Sequence, residues 1–373
     1  LAALLGFAMR IVLIGLHFAE IAARLGLALS KDNDVQIHVA RRAADREWTP
    51  ALRAQLEAAV GIVYLPHPHR ARLLWHGFRL ARAVARFAPD VVHVQEAAGW
   101  TISAFLMCLG RKAPAFVLTV HDPKPHSGDA RARARTRAAD GWVRRRADAV
   151  IVHGEALVRD MEAMAPGLRG RIFCVPHGAL GEGLGASPPP GQGRFLMFGR
   201  LQAYKGLGPL LDAVEILTAQ NRSFEVLIAG AGDDLEAHGA RIAGLAAVRL
   251  DERYIPAAEV GALFESCDAV VTPYLDATQS GVGALAMAAG RAVIATDVGA
   301  LCEIVRDGEN GLIVPAGDAL RLAEAMARIL DEPGLAAQLG RRARETAEGR
   351  LNWGAIAERT VWVYQSAREA RRR

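Results

Sequence analysis

The segment Gly199-Arg200-Leu-Gln-Ala-Tyr-Lys205-Gly206 sets two cations five positions apart on a stretch closed by glycine at each end. Arginine presents a planar fork of N–H donors that fits phosphate oxygens, and lysine adds a compact point charge. The run before it, Phe195-Leu-Met-Phe198, reads as a strand, and the run after it, Leu207 to Val214, has helical period. The pair therefore sits on a strand-to-helix turn. At the C-terminal edge of a parallel sheet, where open α/β sheets bind ligands, two such charges suit a diphosphate. A solvated surface pair is the alternative.

A second candidate lies downstream. A strand ends in Thr272-Pro, a polar loop Asp276–Gln279 follows, and Ser280-Gly281 opens an alanine-rich helix that ends at Gly290. Serine is a favoured N-cap, and a glycine-lined helix start offers N–H groups and positive dipole to an anion. Gln279, Ser280, Gly281 and Val282 are the residues placed to use it. Arg291-Ala-Val-Ile-Ala-Thr-Asp297-Val-Gly299 then returns to the sheet and turns again. Without a ligand, the same segment is simply a well-capped helix with a close-packing glycine.

Two features of the N-terminal half are weaker by themselves. The first strand ends at Gly15-Leu16-His17 before a helix over Ala19–Ser30, so Gly15 admits close approach of a phosphate or sugar, or else makes a plain tight turn. The full GxGxxG fingerprint is absent, which removes the main support for a nicotinamide enzyme. His121-Asp122 follows the strand-like Phe116–Val120, and a lone strand-end histidine is most simply structural. Cys108, Cys174, Cys267 and Cys302 are far apart, with no CxxC pair and no histidine at metal-ligand spacing. No metal or redox cofactor is expected, and a reduced cytosol is the default compartment.

These residues need a scaffold, and the pattern supplies one. Short β-branched runs alternate with turns and helix-period stretches: Arg10–Gly15, Val35–Ala40, Val91–Val94, Ala115–Val120, Ala149–Val152 and Ile172–Val175. The second half repeats the alternation at Phe195–Phe198, Phe224–Ala229, Ala247–Leu250, Ala269–Thr272, Ala292–Ala295 and Gly311–Val314. Such βαβ repetition means parallel sheets buried on both faces. The 373 residues, 51% of them apolar, have room for two cores. Three prolines and several glycines between 181 and 193 mark the boundary. The expected domains are 1–180 and 194–348, joined by the linker 181–193, with a closing helix over 349–373 returning to the N-terminal domain.

No charge precedes Arg10 and the sequence does not begin with Met, so no signal peptide is read there and Met9 is the expected natural start. No run approaches the ~18 apolar residues of a transmembrane helix.

In this setting the chain resembles the family 4, or group 1, glycosyltransferases of the GT-B fold. The resemblance rests on FGRLQAYKGL, VLIAGAGDD, ALFESCDAVVTPY, ATQSGVGALAMAAGRAVIATDVGALCEIV and DGENGLIVPAGDALRLAEAM, in the family's order and spacing. MRIVLIG, PDVVHVQ, LTVHD and VPHG match more loosely. The resemblance implies an α/β GT-B architecture: two Rossmann-like doubly wound domains facing a central cleft, the first binding acceptor and the second a nucleotide-sugar. It implies Arg200 and Lys205 on the donor diphosphate and His121 at the reacting sugar. Gly15, Gly199, Gln279, Ser280, Gly281 and Val282 would complete the donor site. The family's Glu-x7-Glu pair is missing, since Leu285 and Ala277 stand at those positions. The sequence looks like a branch with a Gln-Ser-Gly-Val turn instead, and Glu303 is the candidate for the vacated ribose role.

Charge adds a partner. Residues 1–180 carry 25 Lys and Arg against 15 Asp and Glu, whereas 181–373 carry 20 against 25. Residues 70–86 combine Leu73, Leu74, Trp75 and Phe78 with five arginines, Arg79 among them, and 131–146 hold seven, including Arg131 and Arg133. A basic amphipathic helix with tryptophan suits an anionic membrane interface. Both runs fit a lipid-linked acceptor on the inner leaflet, and both also fit a solvated helix face. No recognition motif for nucleic acid accompanies the charge. The expected protein is a cytoplasmic or peripheral, metal-independent, retaining glycosyltransferase of polysaccharide biosynthesis, using a nucleotide-sugar and a glycan or lipid-linked acceptor. A sugar-nucleotide epimerase of the same fold and a catalytically idle donor-binding or scaffold protein are the rival readings.

Overall fold

Every strand pairing is parallel, and each sheet places its first strand in the middle. The computed structural model describes residues 8–65, 73–96, 99–109, 113–123, 137–180, 184–185 and 187–372. The chain divides into two units, one running to Pro176 and taking back the segment from Trp353, the other covering His177–Asn352. Segment 124–136 lies outside the described residues.

The first unit holds a seven-stranded sheet ordered β3-β2-β1-β4-β5-β6-β7. Its strands are β1 (Arg10–Gly15), β2 (Asp34–Ala40), β3 (Gly61–Leu65), β4 (Val91–Gln95), β5 (Ala115–Thr119), β6 (Ala149–Val152) and β7 (Ile172–Cys174). Side chains alternate across a strand. Ile11 and Leu13 thus join one core with Val35, Ile37 and Val39, while Val12 and Ile14 join the other with Val92 and Val94. That double burial explains the unbroken apolar runs. The sequence reading lacks β3. Its residues are only half buried at the sheet edge, although Ile62-Val63-Tyr64-Leu65 is an unbroken apolar run.

The C-terminal helix Trp353–Arg372 packs in this first unit. Ile356, Val363, Tyr364 and Ala367 enter the core that holds β1 and β2. Its last turns are tied by Arg368 to Asp90 at 3.1 Å and by Arg371 to Asp148 at 3.1 Å.

The second unit holds a six-stranded sheet ordered β10-β9-β8-β11-β12-β13. The strands are β8 (Arg194–Phe198), β9 (Glu225–Ala229), β10 (Val248–Asp251), β11 (Ala269–Thr272), β12 (Ala292–Thr296) and β13 (Gly311–Val314). The order reverses between β8 and β11, which is the switch point where doubly wound sheets take ligands.

The boundary differs from the one read in sequence. The second unit begins at His177, and residues 187–193 are fastened to it. The Asp268 carboxylate accepts from the backbone N–H groups of Gln192 and Arg194, each at 2.9 Å, and from that of Gly191. Fully buried Arg291 donates to the Ser187 carbonyl at 2.7 Å and to the Phe264 carbonyl at 2.8 Å. Prolines and glycines forbid helix here, but their backbone groups still need partners, and two side chains from sequence-distant loops supply them.

Candidate active site

In the second unit the cation pair lies on the turn after β8. Gly199 has φ 110° and donates to the Ala229 carbonyl at 3.0 Å, and Leu201 N–H donates to Ala231 at 3.0 Å, so the turn follows the end of β9. A 3-10 turn, Ala203–Lys205, leads through Gly206 into the helix Leu207–Ala219. Gly206 has φ 75°, and a Cβ there would overlap the carbonyl oxygen of Pro273. Only glycine permits both the conformation and the approach. Leu275 N–H donates to the Tyr204 carbonyl at 2.7 Å and locks this turn to the loop after β11.

Lys205 is oriented by aromatic rings. Its Nζ stands 3.8 Å from the centroid of Tyr274 and 5.3 Å from that of Tyr204. Buried Tyr274 accepts at Oη from Ser280 Oγ at 3.3 Å, and its carbonyl accepts from Thr296 Oγ1 at 2.7 Å. The sequence reading gives neither tyrosine a role, although Tyr204 lies inside the Gly199–Gly206 turn beside Lys205 and Tyr274 follows the strand end at Thr272-Pro. Arg200 is exposed, and among the described residues neither Arg200 nor Lys205 has a carboxylate partner. Elsewhere in the unit, Arg222, Arg241, Arg253, Arg321, Arg328 and Arg344 are each paired with Asp or Glu.

The turn after β11 forms the second side. Ser280 caps the helix Gly281–Ala288, accepting the Gly283 N–H at 3.0 Å. The first-turn N–H groups of Gly281 and Val282 have no i−4 carbonyl within the helix. Gln279 Oε1 is buried and has no hydrogen-bond partner among the described residues. An acceptor so placed fits a ligand hydroxyl. The loop after β12 closes against this turn: Ala300 N–H donates to the Thr278 carbonyl at 3.0 Å, and a Cβ at Gly299, where φ is 54°, would overlap the Ala277 carbonyl. Glu303 follows in the short helix Leu301–Ile304, half buried. The structure thus gathers Gly199, Arg200, Lys205, the Gln279–Val282 turn and the Glu303 turn at one end of one sheet. Among the described residues, no three His, Cys, Asp or Glu side chains are placed to share a metal ion.

The first unit places His121 in a buried polar chain. His121 Nδ1 lies 3.1 Å from His153 Nε2, and its Nε2 lies 3.2 Å from Gln95 Oε1. Phe18 stacks on the ring at 4.0 Å, and the His121 N–H donates to Glu96 Oε2 at 3.3 Å. His153 Nδ1 reaches the Val175 carbonyl at 2.9 Å, while His93 bridges Tyr364 Oη and Thr119 Oγ1, each at 2.7 Å. Burial holds His153 down to about 4, against the opposing pull of the Val175 carbonyl and Asp122. Burial, reinforced by His153, lowers His93 to about 3. Phe18 and Glu96 both have positive φ, 57° and 69°, and such non-glycine strain gathers at functional sites. None of Phe18, Glu96 and His153 appears in the sequence reading, and Gln95 appears there only as the last residue of PDVVHVQ, without a role. Gly15, at the end of β1, lies against Ala22, with 3.0 Å available to an added Cβ, so its missing side chain seats the helix Ala19–Leu29.

The basic helix Leu73–Phe87 exposes Leu74 at 71%, Trp75 at 47% and Phe78 at 54%. Arg79 lays its guanidinium 4.6 Å over the Trp75 ring. The adjoining helix Gly99–Cys108 exposes Trp100 and Met107. Arg131 and Arg133 lie outside the described residues. No helix of the described residues is long and apolar enough to cross a membrane.

Two family models match this architecture half by half: Glycosyltransferase Family 4 over residues 20–179 and Glycosyl transferases group 1 over residues 192–332. The chain belongs to the group 1, family 4 glycosyltransferases. Glycogen synthase of Mycobacterium tuberculosis is 27% identical over 296 residues, 76% of this chain and 70% of that protein. Phosphatidyl-myo-inositol mannosyltransferase of Mycolicibacterium smegmatis is 33% identical over 182 residues, 48% of this chain and 46% of that one. The solved structure of Anabaena Alr3699/HepE in complex with UDP and glucose superposes with a TM-score of 0.72 at 17% identity, covering 96% of this chain and all of that one. The fold is GT-B, and the glycosyltransferase carries its unpaired cations in the half matched by the group 1 model.

Proposed function

We propose that this glycosyltransferase takes its sugar from a nucleoside diphosphate donor, transfers it with retention to a glycan or lipid-linked acceptor, needs no metal ion, and works at an anionic membrane surface. One observation carries the donor reading: among the described residues, Arg200 and Lys205 stand without carboxylate partners beside a Ser280-capped helix start, at the switch point of a doubly wound sheet. In a retaining transfer, departure of the diphosphate leads and positive charge grows at the anomeric carbon. Preorganised cations and helix N–H groups stabilise the departing oxygens without reorganising, so positive charge is available there with no metal. Tyr274 and Tyr204 hold the lysine ammonium in place by cation–π attraction.

A thermal-shift panel of UDP-, GDP- and ADP-sugars tests the donor site on wild type and on Arg200→Ala/Lys205→Ala. One nucleotide class stabilises the wild type, in the presence of EDTA, and the double variant loses the shift. No shift with any donor refutes the reading. Slow release of free nucleoside diphosphate without acceptor separates a transferase from an epimerase or an idle binder.

The surface reading rests on the exposed Leu74, Trp75 and Phe78 beside Arg79, Arg82 and Arg86 on one helix. Aromatic side chains and cations together suit an anionic interface. In co-sedimentation, vesicles with 30% anionic lipid retain the wild type, and Trp75→Ala/Phe78→Ala weakens binding about tenfold, as expected for ~1–2 kcal/mol of lost apolar insertion. Equal binding of both proteins, or binding to neutral vesicles alone, defeats this reading.

A further inference from the structure

His121 is buried with both ring nitrogens engaged, and the identity of its neighbours decides where its proton sits. A carbonyl oxygen only accepts, so His153 Nδ1, 2.9 Å from Val175 O, must carry hydrogen. Burial keeps His153 neutral, with a pKa of about 4, so its Nε2 carries a lone pair. The 3.1 Å contact with His121 Nδ1 is then donated by His121. This leaves His121 Nε2 facing Gln95 at 3.2 Å. An amide oxygen there pairs with an imidazolium, and the amide turned by 180° pairs its N–H with a neutral ring. Gln95 also lies 3.4 Å from His93 Nε2, and His93 Nδ1 meets Tyr364 Oη. The orientation of one amide therefore links the charge of His121 to the tautomer of His93.

We propose that His153 and Gln95 are positioning residues of the transfer reaction: His153 accepts the Nδ1 proton of His121, and Gln95 sets what its Nε2 carries, so ring and turn keep one orientation. This rests on the reading that places His121 at the reacting sugar. Among the described residues, His153, Gln95 and the Phe18 face meet the ring, the Glu96 carboxylate accepts the His121 backbone N–H, and Asp122, next in sequence, acts on His153 by charge. The chain joins residues on three strand ends and the C-terminal helix, so a shift in any of them reaches His121. A histidine whose tautomer is set by its second nitrogen's partner is a familiar way of fixing a reactive group.

Histidine side-chain nitrogen NMR on the 15N-labelled full chain, together with steady-state kinetics, tests this. In wild type, His121 is protonated at Nδ1. In His153→Phe, which has no acceptor, that signal gives way to the Nε2–H tautomer, and kcat falls on the order of 10²-fold, as expected for a misplaced group, with little change in donor KM. His153→Gln, whose amide oxygen takes the Nδ1 proton, restores the tautomer and most of kcat. Gln95→Leu leaves the Nδ1 proton in place and shifts the pH profile of kcat. An unchanged His121 signal in His153→Phe, or wild-type kcat in a folded His153→Phe, overturns the proposal. If His153→Phe does not fold, failure of folded His153→Gln to keep Nδ1–H overturns it. A wild type that turns over no donor while His121 keeps its Nδ1 proton defeats the functional reading instead.

Discussion

Two polar clusters, one in each unit, are built in opposite ways. In the first, His121, His153, His93, Gln95, Thr119 and Tyr364 spend their donors and acceptors on one another beneath the ends of β4, β5 and β6. In the second, among the described residues, Arg200 and Lys205 have no carboxylate partner and Gln279 Oε1 has no hydrogen-bond partner. Low dielectric makes a satisfied buried network stiff and an unsatisfied buried group costly. The first arrangement is suited to fixing geometry, and the second to binding a charged ligand that completes it. The difference has consequences for acid stability, for the roles of individual arginines and for donor affinity.

Acid gives the largest effect. His38, His93 and His153 all belong to the first unit, and burial lowers them to about 4, 3 and 4. The unfolded chain binds these protons near pH 6.5, but the folded chain takes them only at the lower values. Stability is therefore full above pH 6.5 and declines as pH falls toward 4, on the order of 1 kcal/mol per pH unit for each group. Urea unfolding between pH 7 and 4.5 is expected to show uptake of about three protons on unfolding. Hydrogen exchange at pH 5 should strip protection from β1–β7 before β8–β13. Equal loss in both sheets would erase the contrast.

Two arginines of the second unit sharpen the comparison. Arg291 is buried and donates to the carbonyls of Phe264, Glu265 and Ser187, whereas Arg200 is exposed without a partner among the described residues. Arg291→Met should lower stability by ~3–5 kcal/mol, because the carbonyls of Phe264, Glu265 and Ser187 lose their buried donor and the 187–193 segment its anchor. Arg200→Met should stay within ~0.5 kcal/mol. Urea midpoints at fixed m-value report both. A stable Arg291→Met would mean that Asp268 alone holds the segment.

Sequence made the regular part of this fold legible, because strands buried on both faces must be apolar at consecutive positions. β1, β6, β11 and β13 coincide with the runs read for them. β3 was missed although Ile62–Leu65 is apolar, and edge position does not account for it, since the edge strands β7 and β10 were read. Local chemistry was legible too: the Ser280 cap needs only residues three apart. What stayed hidden depends on contacts between distant positions. His153 is 32 residues from His121, Tyr364 is 271 from His93, and Arg291 is 104 from Ser187. No spacing announces such pairs, since they exist only when the strand order brings the loops together.

The smallest expected effect asks whether the unspent set extends beyond the cations. Leu285 and Ala277, both buried, occupy the family's two carboxylate positions, so a ribose partner has to come from elsewhere, and Glu303 lies in the turn hydrogen-bonded to the Gln279 loop through Ala300 and Thr278. A hydrogen bond to a carboxylate contributes ~1.5–3 kcal/mol against ~0.5–1.5 for a neutral acceptor. Glu303→Gln should thus weaken nucleoside diphosphate binding about five- to tenfold in calorimetry, with kcat nearly unchanged. A deoxyribose nucleotide supplies the second arm of the cycle: if Glu303 holds the missing hydroxyl, the wild type loses affinity for it while the variant loses no more than it already has. Additive losses would move the ribose contact to another residue, and unchanged affinity in Glu303→Gln would leave donor binding to the cation pair, the Gln279 oxygen and the helix start alone.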